Sequence, residues 1–188
     1  IITSSVNEAS VESLLDVDEP SSSSDYGISR LSFHPKKGSL EWVQYEFPKI
    51  KRIENISIYW FDEAQAAASF RNEIKEILPR AWKISFWQDG QWQAAKIKET
   101  NLGIERDQYN LARLTKAVNT KKLKIEVQLN DGLSAGILGC RINQTSSSKA
   151  EEIFTNPDRE LKRIRTKASK TLALDVDDAV DRVGAPQG

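Results

Sequence analysis

Between Glu41 and Asp62 the chain reads EWVQYEFPKIKRIENISIYWFD, with apolar residues at alternate positions. Val43, Tyr45 and Phe47 alternate with Trp42, Gln44 and Glu46, and Ile56, Ile58 and Trp60 alternate with Asn55, Ser57 and Tyr59. Side chains on a strand point to opposite faces in turn, so this pattern predicts strands with one face buried. The second run also carries Tyr59 outward, which predicts cover over part of its other face. Pro48 has no N–H for a ladder, so the stretch reads as two strands with a turn beginning at Pro48. The second strand ends in Phe61 and Asp62. An aromatic and a carboxylate at a loop mouth suit a ligand site, and equally suit a core strand that simply stops.

The same alternation recurs downstream. Trp82, Ile84 and Phe86 alternate with Lys83 and Ser85. Asp89-Gly90 then supplies the positive φ of a hairpin turn, and a return strand is predicted from Trp92 to Ile97. Leu111–Val118 is a further strand, as is the run holding Leu123, Ile125, Val127 and Leu129. After Asn130-Asp131-Gly132 turns the chain, Ser134–Ile142 closes the sheet, with Gly136 and Gly139 where backbones approach closely. Val6, Ala9 and Val11 allow one short strand in residues 1–12, and residues 14–27 are turn-rich. The Ala-rich segment Glu63–Ile77 places Phe70, Ile74 and Ile77 on one helical face, which predicts a short inserted helix ended by Pro79. Roughly eight strands with turns at this spacing predict an all-β fold, an antiparallel jelly-roll β-sandwich.

The sandwich is expected to occupy residues 1–143, followed by a linker and peripheral tail over residues 144–188. In the tail, Asn156-Pro157-Asp158 is a helix start. Arg159, Lys162, Arg163, Arg165, Lys167 and Lys170 make a basic run without interleaved aromatics. It therefore reads as a solvated face rather than a nucleic-acid site. Lys plus Arg and Asp plus Glu both number 27, so the net charge of zero gives no general attraction to nucleic acid or an anionic membrane. Residues 1–10 do not have the form of a signal peptide, and a start at Ile is expected of a piece of a longer protein. The single cysteine, Cys140, excludes an internal disulfide and reads as a small buried hydrophobe.

Residues fit for chemistry are few. His34 is the only histidine, so neither a histidine metal cluster nor a Ser-His pair is available. Flanked by Phe33 and Pro35, it suits a hydrogen bond to a ligand hydroxyl, or is an ordinary loop residue. Asp16, Asp18 and Glu19 lack the spacing of a calcium loop and read as turn caps. Asp62 and Glu63 would point to opposite faces of a strand, which does not make a glycosidase pair. Five tryptophans suit stacking on sugar rings, or filling a sandwich core.

Several segments form a longer string in this order: EWVQYEF, YWFD, LPRAWKISFWQDGQW, DQYN, KLKIEVQL and SAGIL. Over residues 5–143 the string resembles the discoidin-like, galactose-binding-like C-terminal module of bacterial β-L-arabinofuranosidase-type glycoside hydrolases. The resemblance implies a non-catalytic module, with carbohydrate and the parent chain's catalytic domain as partners and a secreted or periplasmic parent. It implies no cofactor. Sugar-binding relatives use loops at one end of the sandwich, which here places Phe33, His34, Phe61, Asp62 and Ser134 at the ligand site. The sequence departs from the family pattern in three places. Glu76-Ile77-Leu78-Pro79 stands where the family has Cys-Arg-Val-Pro, so the arginine is lost. The Glu63–Ile77 insert is longer. Gly139-Cys140 replaces Glu-Trp in the closing strand, which weakens the structural calcium that the family's Glu helps to hold with the early Asp loop. Two roles remain open. One is a carbohydrate-binding accessory module. The other is a structural sandwich that binds no sugar and docks the catalytic domain through Trp42 and Tyr59.

Overall fold

The computed structural model describes residues 1–6, 8–15, 18–64, 74–99 and 102–143. The 144–188 tail, Asp16 and most of the inserted segment, including Phe70, lie outside them. The described strands are β1 (Ile2–Ser4), β2 (Leu31–Ser32), β3 (Leu40–Phe61), β4 (Ala81–Gln88), β5 (Gln91–Ala94), β6 (Tyr109–Gln128) and β7 (Gly136–Ile142). They run β2-β7-β3-β6-β4-β5, with β1 added to β3, and the pairs are antiparallel.

The long strands β3 and β6 turn this ladder into a sandwich. The first half of β3 lies between β1 and the end of β6, which also carries β4 and β5. Its second half, from Asn55, pairs with the start of β6 and with β7. Between the halves the register breaks twice. Residues 47–50 of β3 stand against Lys121 alone, and residues 114–117 of β6 stand against Glu54 alone. Extra residues bend a strand and increase its twist. The bend brings the halves face to face, as Trp60 of β3 and Trp82 of β4 show by meeting edge to face with centroids 5.8 Å apart. The backbone freed on β6 is recovered locally: Thr115 N–H donates to Lys96 O, and Lys98 N–H donates to Arg113 O.

The core between the layers holds Val43, Ile53, Ile56, Ile58, Trp60 and Ile125, all fully buried. Burial of each such side chain contributes about 1.5–3 kcal/mol. On the other face of the second half-sheet, Tyr59, Phe61 and Leu138 form a smaller cluster beneath Ile28 and Tyr109. Both faces of this strand are thus covered, as its outward aromatic predicts.

The sequence reading changes in several places. Residues 41–61 belong to one strand, not two, because Pro48 sits in the unpaired bulge where no ladder donor is required. The two strands expected over residues 111–129 are likewise one, β6. The early strand is confined to β1, and Glu8–Leu15 is a 3₁₀ helix that buries Val11 and Leu14. The predicted insert helix does not extend through Ile77, since Glu76 bridges in parallel to Ser134 and Ile77 N–H donates to Ser134 O. Tyr59 is buried, so it offers no docking surface. The hairpin turn is as expected, with Trp87 paired to Trp92 across a turn in which Asp89 and Gly90 have φ of 52° and 79°, but the return strand ends at Ala94 rather than Ile97, which instead bridges to Leu114.

Gly139 is explained by close approach. A Cβ there would lie 2.6 Å from the Tyr109 hydroxyl. Tyr109 is held edge-on against Tyr59, with the Arg141 guanidinium 3.7 Å over its ring. Burial pushes the Tyr109 phenol up to about 12, although Arg141 pulls the other way. Gly139→Ala is expected to displace this stack and cost about 1–3 kcal/mol, read by urea unfolding. An unchanged midpoint would show that Tyr109 yields freely.

Candidate functional site

Loops 18–30, 33–39, 62–64, 74–80, 103–108 and 129–135 gather at one end of the sandwich, where β4 begins and β3 ends. All five site residues expected from sequence are at this end, but their side chains differ in access. Phe33 and Phe61 are fully buried, and Asp62 and Ser134 nearly or fully so. Only the His34 side chain is exposed. Phe33 belongs to the main core, and its N–H donates to Ala135 O, which sets it beside Ser134 in the chain.

Asp62 works as a tie between loops. Its N–H donates to Ser23 O, Oδ1 accepts Ala64 N–H at 2.9 Å, and Oδ2 accepts Arg106 Nε–H at 2.5 Å. Neighbouring contacts complete the tie: Ser23 N–H donates to Asp107 Oδ1, and Asp107 N–H donates to Ser23 Oγ. Asn110 holds the 103–108 loop by accepting Glu105 N–H on Oδ1 and donating from Nδ2 to Glu105 O and Ile58 O.

Beside this tie lies a set of residues that the sequence reading did not single out. Arg30 donates from Nε and Nη2 to Glu76 Oε2, at 3.0 and 2.8 Å. Both bonds use one oxygen. The guanidinium lies 3.9 Å over the Phe61 ring and 5.5 Å from the centroid of Tyr26. Tyr26 meets Phe61 edge to face at 5.3 Å and remains 56% exposed. Burial raises the Tyr26 phenol above its ordinary value, and the Glu63 carboxylate raises it further. Glu63 is fixed in turn, because Oε2 accepts the N–H groups of Lys75 and Glu76.

Two buried acceptors remain open at this point. Among the described residues, Glu76 Oε1 and Ser134 Oγ have no hydrogen-bond partner. A Cβ on Gly136 would lie 3.3 Å from Glu76 Oε1 and 3.1 Å from Phe61 Cβ, so glycine makes the room the carboxylate uses. A buried carboxylate oxygen without a donor costs free energy until a hydroxyl or water satisfies it. The arrangement is therefore an exposed phenol ring beside an immobilised guanidinium, over an unsaturated acceptor. It offers stacking and hydrogen bonds in both directions, with cation and anion balanced.

This geometry sits on a known scaffold. The chain superposes on the module CpGH89CBM32-6 of Clostridium perfringens with a TM-score of 0.52 at 15% identity, covering 77% of this chain and 93% of that one. For a chain of the Streptococcus pneumoniae beta-galactosidase BgaA the TM-score is 0.58 at 12% identity, with 77% and 92% covered. For the family 32 carbohydrate-binding module of Clostridium perfringens NanJ, solved with galactose, it is 0.51 at 10% identity, with 76% and 91% covered. The fold is the β-sandwich of carbohydrate-binding modules. At these identities the likeness speaks for the fold alone. No protein-family model matches the chain, and no curated protein matches it.

Among the described residues no group of three or more His, Cys, Asp or Glu side chains is placed to hold a metal. Glu19, from the early acidic loop, is ion-paired with Arg141. An open cleft of about 720 Å³ runs beside β4, lined by Arg80, Trp82, Ile84, Ile97, Leu102 and Glu105 among others. The Trp82 indole N–H closes its inner wall by donating to Gly103 O at 2.8 Å. The cleft does not include the residues around Tyr26.

Proposed function

We propose that this chain is a non-catalytic carbohydrate-binding accessory module of a glycoside hydrolase, taking neutral sugars at the loop end. The observation that carries this is Tyr26, an exposed ring braced by Phe61 and flanked by an Arg30 that Glu76 holds in place. A pyranose presents an apolar C–H face and a rim of hydroxyls. The ring takes the face. Arg30, whose side chain keeps 24% of its exposure, donates to a hydroxyl, and the buried Glu76 carboxylate holds it in place to do so. Of the residues expected from sequence, His34 supplies a further polar group at the edge, while Phe61, Asp62, Ser134 and Phe33 support the loops from below.

The modular setting is supported by the scaffold, since two of the superposed structures carry glycoside hydrolase or beta-galactosidase names and one was solved with galactose. Attachment to an arabinofuranosidase-type parent rests on the motif string from EWVQYEF to SAGIL. The mechanism is equilibrium binding that holds glycan near a catalytic domain. A shallow site of this kind gives millimolar to micromolar dissociation constants, about 4–8 kcal/mol.

The test is calorimetric titration with arabinose-, galactose- and xylose-containing oligosaccharides. Tyr26→Ala is expected to weaken binding about tenfold or more, because stacking on one ring is worth on the order of 1–2 kcal/mol. Tyr26→Phe keeps the ring and should bind nearly as well as the parent chain. Folded protein that binds none of the panel would refute the proposal for these sugars.

A further inference from the structure

The outward face of the β4–β5 hairpin carries features that the core does not use. Trp87 and Trp92 are direct cross-strand partners whose rings meet edge to face at 5.4 Å. Trp87 is 37% exposed, and neither ring belongs to the clusters that hold the sandwich together. The inward positions of β4 are Trp82, Ile84 and Phe86, which leaves Lys83, Ser85 and Trp87 on the outer face. Register places Lys124 beside Ser85, and Glu126 beside Lys83. The Lys124 ammonium lies 4.5 Å from the centroid of Trp92.

Charge on this face is unbalanced. Glu126 Oε1 is shared between Lys83 at 3.4 Å and Lys124 at 4.0 Å, while its Oε2 accepts the Ser85 hydroxyl. Two ammonium groups share one carboxylate, so one positive charge is in excess beside an exposed indole. The frame under it is fixed: Thr120 Oγ1 donates to Trp87 O at 2.8 Å, and the Asp89-Gly90 turn locks the hairpin.

We propose that this face is a second binding site, for an acidic glycan of the uronate class. A uronate ring has a C–H face for Trp87 and a carboxylate for the unmatched ammonium of Lys83 and Lys124. A neutral sugar would leave that charge unused. Nucleic acid would require several phosphates to be matched along a groove, whereas this face offers one excess charge on a chain of zero net charge. The hairpin turn lies at the end of β4 away from the Tyr26 loops, so the proposal does not rest on the function proposed for that end.

The test uses the full chain titrated with an oligogalacturonate, at low and at raised salt. Saturable binding that weakens with salt is expected, and it should fall about tenfold in Trp87→Ala and in Lys124→Gln. Tyr26→Ala should leave it unchanged, which separates the two sites. Lys124→Gln keeps the length of a largely covered side chain and removes only its charge, so the result stays readable if Trp87→Ala unfolds. The proposal is overturned by absence of binding, by binding that Trp87→Ala and Lys124→Gln both retain, or by binding lost in Tyr26→Ala. Equal affinity for a neutral oligogalactan would overturn the acidic class. Tighter binding of a single-stranded oligothymidylate through the same residues would overturn the glycan assignment.

Discussion

Replacing Arg30 by alanine is expected to cost about 3 kcal/mol of stability and to abolish sugar binding at the loop end. Glu76 is only 2% exposed, and Arg30 is the partner of its Oε2, with Oε1 already lacking one. Truncating the arginine leaves a buried carboxylate without a counter-ion, which is the expensive way to break such a pair. The Arg30 side chain keeps 24% of its exposure, so water relieves part of this cost and places it at the low end of the usual 3–5 kcal/mol range. The loss also removes a cation from the face of Phe61. Arg30→Lys keeps the charge but not the forked geometry, and should recover less than half. The decisive variant is Arg30→Ala with Glu76→Gln, which neutralises the stranded group. Urea unfolding should show the double variant more stable than Arg30→Ala alone, while sugar binding stays lost. A double variant no more stable than the single would mean that stacking on Phe61, not the ion pair, is what Arg30 contributes.

The strands were legible where alternation is local. Val43 and Tyr45, Trp82 and Ile84, and Ile125 and Val127 point inward as their spacing predicts. Joining those strands was not legible. A proline normally ends a central strand, and nothing local shows that residues 47–50 bulge while β3 continues. The loop end was found because an aromatic strand stops at Phe61-Asp62, but which of its side chains reach solvent depends on what folds over it. Residues 18–30 cover Phe61, so the exposed ring belongs to Tyr26 instead. Arg30 and Glu76 are 46 residues apart, and no spacing rule pairs them. One signal for Tyr26 was present. It is the one aromatic in the turn-forming run Ser-Ser-Ser-Ser-Asp-Tyr-Gly, with no apolar partner at helix spacing and only Ile28 at strand spacing, too short a pattern to bury it.

Trp60→Ala is expected to remove about 3–5 kcal/mol, a large part of the ~5–15 kcal/mol that holds an ordinary domain, read as a lowered urea midpoint. Trp60 has no exposed surface, and it touches Trp82 across the interior where the layers meet. It also directly precedes Phe61 and Asp62, so a cavity there loosens the strand end from which the Arg30 cluster and the Asp62 tie are built. The residue carries a cost of its own, because its indole N–H is buried without an acceptor among the described residues. Trp60→Phe deletes that unpaired donor along with part of the ring. The gain from removing the donor, about 1–3 kcal/mol, opposes the loss of packing. Trp60→Phe should therefore lose far less than half of what Trp60→Ala loses, and should keep its far-ultraviolet circular dichroism and its sugar affinity. If the phenylalanine variant proves as damaging as the alanine one, the indole shape itself holds the layers in register, and the edge-to-face contact with Trp82 matters more than the volume it fills.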